Sequence, residues 1–134
     1  MTRYAIDATA LLALARAGYD GTSGHRLVAP AAVRSLAMSL LYRGVRAGEI
    51  PEAEARPTLE AITTIAVRVL GDRVSRGTAW RLAHELGLDD TGPAEYLAIT
   101  RLQADALIAL DPALARLAEG VVPTASIDVL LPAR

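Results

Sequence analysis

Apolar residues along this chain come in two alternating rhythms, short continuous runs and longer stretches repeating every three to four positions, and that alternation sets the expected elements. The first run, Tyr4-Ala5-Ile6, passes straight into Asp7 and then into Leu11, Leu12, Leu14 and Ala15, so a strand is followed by a helix over about Thr9 to Ala17 that stops at Gly18. A Gly-, Ser- and Asp-rich loop leads to Arg26-Leu27-Val28-Ala29, a short strand closed by Pro30. From Ala31 to about Arg46, helical spacing of Val33, Leu36, Ala37, Leu40, Leu41 and Val45 predicts a second helix ending at Gly48.

Pro51 and Pro57 each suit a first helical turn, which predicts two short helices, Glu52 to Arg56 and Thr58 to Thr64. Ile65 to Leu70 reads as a third strand. Thr78 to Leu86 reads as a helix that turns Trp80, Leu82, Ala83 and Leu86 toward the core, with Gly87 closing it. Another helix begins at Pro93 and carries Tyr96, Leu97, Ile99 and Leu102. The run Ala106-Leu107-Ile108-Ala109-Leu110 then repeats the opening event: a strand meets an acid, Asp111, and a helix over Pro112 to Glu119 follows. Val121-Val122 is expected as an edge strand. The order βαβααβααβαβ predicts an α/β domain with a mostly parallel sheet of four or five strands and helices on both faces. Residues 1-134 are expected to form a single domain.

Composition narrows the chemistry. With 134 residues, no Cys, no Phe and one Trp, the core is built from small aliphatic side chains, and disulfides, thiolate zinc sites and Cys nucleophiles are excluded. A net charge of −1 gives no global pull on nucleic acid, so an RNA contact needs a local patch. Arg34, Arg43 and Arg46 with Tyr42 are one candidate, with a solvated helix face as the plainer reading. His25 and His84 stand alone and are expected at the surface. Ser35 and Ser39 lack the turn and base of a serine hydrolase. The apolar run Ala8 to Ala15 is too short to span a membrane and lacks the flanks of a signal peptide, so no targeting segment and a cytoplasmic location are expected.

The chemistry that remains is at the strand ends. A carboxylate at the carboxyl edge of an open parallel sheet lies where such sheets bind ligands, and Asp7 and Asp111 meet there if their strands are neighbours. Each also reads as an ordinary helix N-cap, Asp111 all the more so because Pro112 follows it.

The order of these pieces resembles the PIN domain, in particular the toxin ribonucleases of the VapC type from toxin–antitoxin pairs. The resemblance rests on Tyr4 to Leu12, Leu27 to Pro30 leading into Ser35 to Leu41, Ala79 to Gly87, Ala94 to Ala98, and Leu107 to Asp111 with Leu114-Ala115. It implies a three-layer PIN-like fold and Mg²⁺- or Mn²⁺-dependent phosphodiester hydrolysis by about four clustered acids, since a hard cation takes oxygen ligands. It also implies dimerisation and a small antitoxin-like partner. Asp7 stands at the first acidic position with Thr9 as its supporting hydroxyl, and Asp111 stands at the last. Leu36 occupies the second acidic position, Pro93 the third, and Ala109 the position of a common Thr. Glu95 does not replace the missing ligand, and Asp90 lies in the adjoining turn. The expectation is a catalytically impaired PIN-like protein acting as a binding or regulatory domain with weak metal binding at most. An active metal-dependent endoribonuclease is the alternative.

Overall fold

A computed structural model describes residues 2–131 of the chain. Among them, four strands and six helices alternate: β1 (Arg3–Ile6), α1 (Ala8–Arg16), β2 (Arg26–Pro30), α2 (Val33–Arg46), α3 (Glu52–Thr64), β3 (Arg68–Leu70), α4 (Arg73–Glu85), α5 (Gly92–Gln103), β4 (Ala106–Ile108) and α6 (Pro112–Ala118), before a 3-10 turn at Ile127–Val129. The sheet has the order β3-β2-β1-β4, and all its pairings are parallel. The chain is therefore an α/β protein of the expected three-layer class.

The strand order explains the layering. From β1 to β2 to β3 the chain steps in one direction, and right-handed crossovers place α1, α2 and α3 on one face. The return to β4 crosses back over β2 and β1, which puts α4 and α5 on the other. In keeping with this, α1, α2 and α3 pack on one another, whereas α5 lies across β1, β2 and β4 with α4 beside it. The central strands are buried on both sides, so Ala5, Ile6, Leu27, Val28, Ala29, Leu107 and Ile108 join Leu97, Ala98 and Ile99 of α5 in one core.

Several local expectations differ from the structure. Pro57 does not divide the lobe, and Glu52 to Thr64 is one helix. Pro57 is exposed, so its missing N–H costs one bond on the water side while Thr58 and Ile62 hold the packed side. The third strand starts at Arg68. The helix expected from Thr78 begins at Arg73, because Asp72 caps it by accepting the Ser75 N–H at 2.8 Å. Its buried stripe is then Ser75, Thr78, Ala79, Leu82 and Ala83, which leaves Trp80 72% exposed instead of in the core. Leu36 is also 47% exposed, on the flank of the stripe formed by Val33, Ala37, Leu41 and Gly44. Val121-Val122 forms no strand. The chain instead runs beside β4 two residues later, where Leu107 donates to the Pro123 carbonyl at 2.9 Å and Ala125 donates to that of Leu107 at 3.0 Å.

Candidate functional site: two linked carboxylates at the sheet switch point

Between β1 and β4 the direction of strand succession reverses. In open α/β sheets the crevice at the carboxyl ends of such a pair is where ligands settle. Tyr4 pairs with Ala106 and Ile6 with Ile108, so the residues following the two strands leave the sheet side by side. Asp7 follows β1, and Asp111 ends the turn after β4.

Asp7 is 3% exposed and accepts three backbone N–H groups. Its Oδ1 takes Ala10 at 2.8 Å, capping α1, and Leu110 at 3.3 Å, while Oδ2 takes Asp111 at 2.9 Å. One side chain thus fastens the first strand, the first helix and the turn after β4. Burial is the largest influence on its carboxyl and pushes it above its ordinary value of 3.8; the three N–H donors pull it down, and the nearby Asp111 charge pushes up again. Asp111 is exposed and caps α6, its Oδ2 accepting the Leu114 N–H at 3.0 Å.

The residue that sequence reasoning missed is Tyr96. Read from periodicity as a core residue of its helix, it is indeed buried, but its phenol also lies close enough to Asp7 to feel that charge. Burial first, then that charge, push the phenol up to about 12. The periodicity of α5 marks Tyr96 as buried without indicating where its hydroxyl ends.

The remaining candidates are dispersed. Thr9 is half-buried in the first turn of α1 and takes no part in the three bonds that hold Asp7. Leu36 and Pro93 lie near the starts of α2 and α5, which the topology carries to the carboxyl edge, and neither brings a charge. Glu95 is exposed and lines a separate small cavity of about 140 Å³ with Arg76 and Ser75, beside the ends of β2 and β3. Asp90 joins neither acid in a hydrogen bond. Among the described residues no group of three or more His, Asp or Glu side chains is placed to hold a metal ion. The donor set is sparse for a divalent cation: N–H groups take three of the roughly four lone-pair sites of Asp7, and one oxygen of Asp111 caps its helix.

Arg34 is not on a solvated face. It reaches back to donate to the carbonyls of Ile62 at 3.2 Å, Ile65 at 3.0 Å and Val67 at 3.4 Å, closing the end of α3. Arg43 and Arg46 are exposed, so the three arginines do not act as one patch. His84 is at the surface as expected, but His25 is half-buried, its ring edge-on to Tyr4 at 5.3 Å. No helix among the described residues is long and apolar enough to cross a membrane.

Comparisons with known proteins add a fold relative. No family model matches the sequence, and no curated protein matches it. Among solved structures, the crystal structure of PAE2754 from Pyrobaculum aerophilum is similar over 96% of this chain and 92% of that one, with a TM-score of 0.72 and 26% identity.

Proposed function

We propose that this chain is a PIN-like domain whose acidic edge holds the fold together in place of metal-dependent chemistry, and that it acts as a binding or regulatory protein. The observation that carries this reading is the set of three backbone N–H groups on the Asp7 carboxylate. A metal-ligating carboxylate needs lone pairs directed at the ion, and three of the roughly four lone-pair sites of Asp7 are directed at Ala10, Leu110 and Asp111. The two positions where the family resemblance calls for further acids hold Leu36 and Pro93. A small antitoxin-like protein and a second copy of the chain are the partners the resemblance brings to this proposal, with RNA as a further ligand. Mg²⁺ or Mn²⁺ binds weakly in this reading. A cytoplasmic setting belongs to the same proposal.

The test is a ribonuclease assay on purified protein with millimolar Mg²⁺ and Mn²⁺, beside Asp111→Asn. The proposal expects cleavage equal to a no-protein control for both. Metal-dependent cleavage by the wild type that Asp111→Asn removes would establish the endoribonuclease alternative, which the adjacency of Asp7 and Asp111 favours.

A further inference from the structure

At the opposite, amino-terminal edge of the sheet, three strands begin with or near the same residue type. Arg3 opens β1, Arg26 opens β2 and Arg68 opens β3. Register decides where they point. Arg3 pairs with Arg26, and Arg68 pairs with Val28, two residues beyond Arg26. Paired residues of parallel strands share a face, and so do residues two apart, so all three arginines project from the same face of the sheet. That is the face covered by α1, α2 and α3, and there the three arginines are among the residues that line a single cavity of about 750 Å³. Arg34 lines it as well, held in place by the carbonyls at the end of α3.

This concentration of charge is only partly balanced. Asp20 is the one acid lining the cavity, and its Oδ1 already accepts the N–H and the hydroxyl of Thr22 at 3.0 and 2.7 Å. Asp105 lies nearby, where its Oδ2 accepts the Arg3 backbone N–H at 2.8 Å. Among the described residues the sole ion pair is Arg16 with Glu54, outside the cavity. Four arginines against the one carboxylate that lines the cavity, in a chain whose net charge is −1, form a local positive field beside partly apolar walls that include Val28, Ile65 and Val67.

We propose that this cavity binds a small phosphate-bearing ligand of the mononucleotide class. Arg3, Arg26 and Arg68 take the phosphate oxygens, and the apolar wall takes the flat base. The planar guanidinium fork matches phosphate oxygens two at a time, and a cavity of this volume falls in the range of roughly 300–1,000 Å³ typical of sites that enclose one small molecule. The acidic edge takes no part, so the inference stands or falls separately from the proposed loss of catalysis.

Calorimetric titration of the full chain with ATP and with inorganic pyrophosphate, in EDTA to silence any cation at the carboxyl edge, tests it. ATP is expected to bind more tightly than pyrophosphate because it alone reaches the apolar wall. Arg26→Ala and Arg68→Ala are each expected to weaken ATP by about tenfold or more. Arg26→Lys, which keeps the charge and loses the fork, should fall between wild type and Arg26→Ala. Arg43→Ala, an equal loss of charge at an exposed position outside the cavity, should leave ATP binding unchanged. Equal weakening by Arg43→Ala and Arg26→Ala would reduce the effect to general charge and overturn the site. So would failure of millimolar ATP to bind, or a short RNA oligonucleotide binding more tightly than ATP with the same arginine dependence.

Discussion

The Oδ2 of Asp7 accepts the backbone N–H of Asp111 at 2.9 Å, joining positions 104 residues apart. Two acids that sequence alone marks as possible metal ligands are thus bound to each other through one's carboxylate and the other's backbone. The arrangement needs no ion to bring them together. It also gives each acid a separate duty, because Asp7 caps α1 and Asp111 caps α6.

Removing the Asp7 carboxylate therefore costs stability. Asp7→Ala strips the cap from α1 and leaves the Leu110 and Asp111 N–H groups without their acceptor, for an expected loss of about 2–4 kcal/mol. Asp7→Asn keeps one oxygen but turns an amide N–H₂ toward one of the N–H donors, so an intermediate loss is expected. Urea denaturation of the three proteins measures both, and an unchanged midpoint for Asp7→Ala would contradict the structural role.

Acid acts on two caps in opposite directions. Asp7 holds its proton to a higher pH in the fold than its ordinary value of 3.8, so the folded state binds that proton first and gains stability as pH falls through the folded value toward 3.8. The stability of wild type relative to Asp7→Asn is expected to rise across that window on acidification. Asp72 behaves in reverse: the Ser75 N–H holds its carboxyl below 3.8, and its contribution, present above 3.8, is lost as pH falls through the folded value. The stability of wild type relative to Asp72→Ala should accordingly shrink in acid, as thermal melts at stepped pH would reveal.

Tyr96→Phe removes the phenol oxygen next to Asp7 while keeping the ring in the core. The burial of the ring survives, so a stability change of no more than about 1 kcal/mol is expected. Chemical denaturation measures it, and a loss of several kcal/mol would contradict the account.

Gly77 is exposed in the middle of α4, and a Cβ added there meets nothing within 4 Å. Gly77→Ala is expected to stabilise the protein by about 0.5–1 kcal/mol, seen as a raised melting temperature. A lowered one would contradict this reading of the exposed face of α4.

The strand that ends on Asp7 and the strand that precedes Asp111 were legible from sequence because both are short apolar runs interrupted by an acid. The alternation of strands and helices predicts a parallel sheet without fixing its order, so the adjacency of these two strands is a condition in the sequence that the pairing of β1 with β4 meets. The start of α4 is hidden because Arg73, Val74 and Arg76 give no apolar period, and only the cap at Asp72 marks it; a helix begun at Thr78 then turns Trp80 toward the wrong face. Leu36 fits the helical period and is still half out of the core, since α2 turns a narrower stripe inward than its Leu content suggests. Most of the site's character lay beyond reach for a different reason. Whether a carboxylate's lone pairs face an ion or a backbone depends on the path of the turn from Ala109 to Asp111, and no residue pattern encodes that path.

Mn²⁺ binding to the folded state raises the melting temperature by mass action, so the Mn²⁺-induced shift reports directly on whether the acidic edge is a metal site. In a double variant, Leu36→Glu with Pro93→Asp, two carboxylates return to the carboxyl edge; because Leu36 is 47% exposed, the replacement sacrifices only part of a Leu side chain's burial of about 1.5–3 kcal/mol. The account predicts a shift of about 1 °C or less for the wild type at millimolar Mn²⁺, and a larger one for the double variant. A shift of several degrees in the wild type that Asp111→Asn abolishes would contradict it.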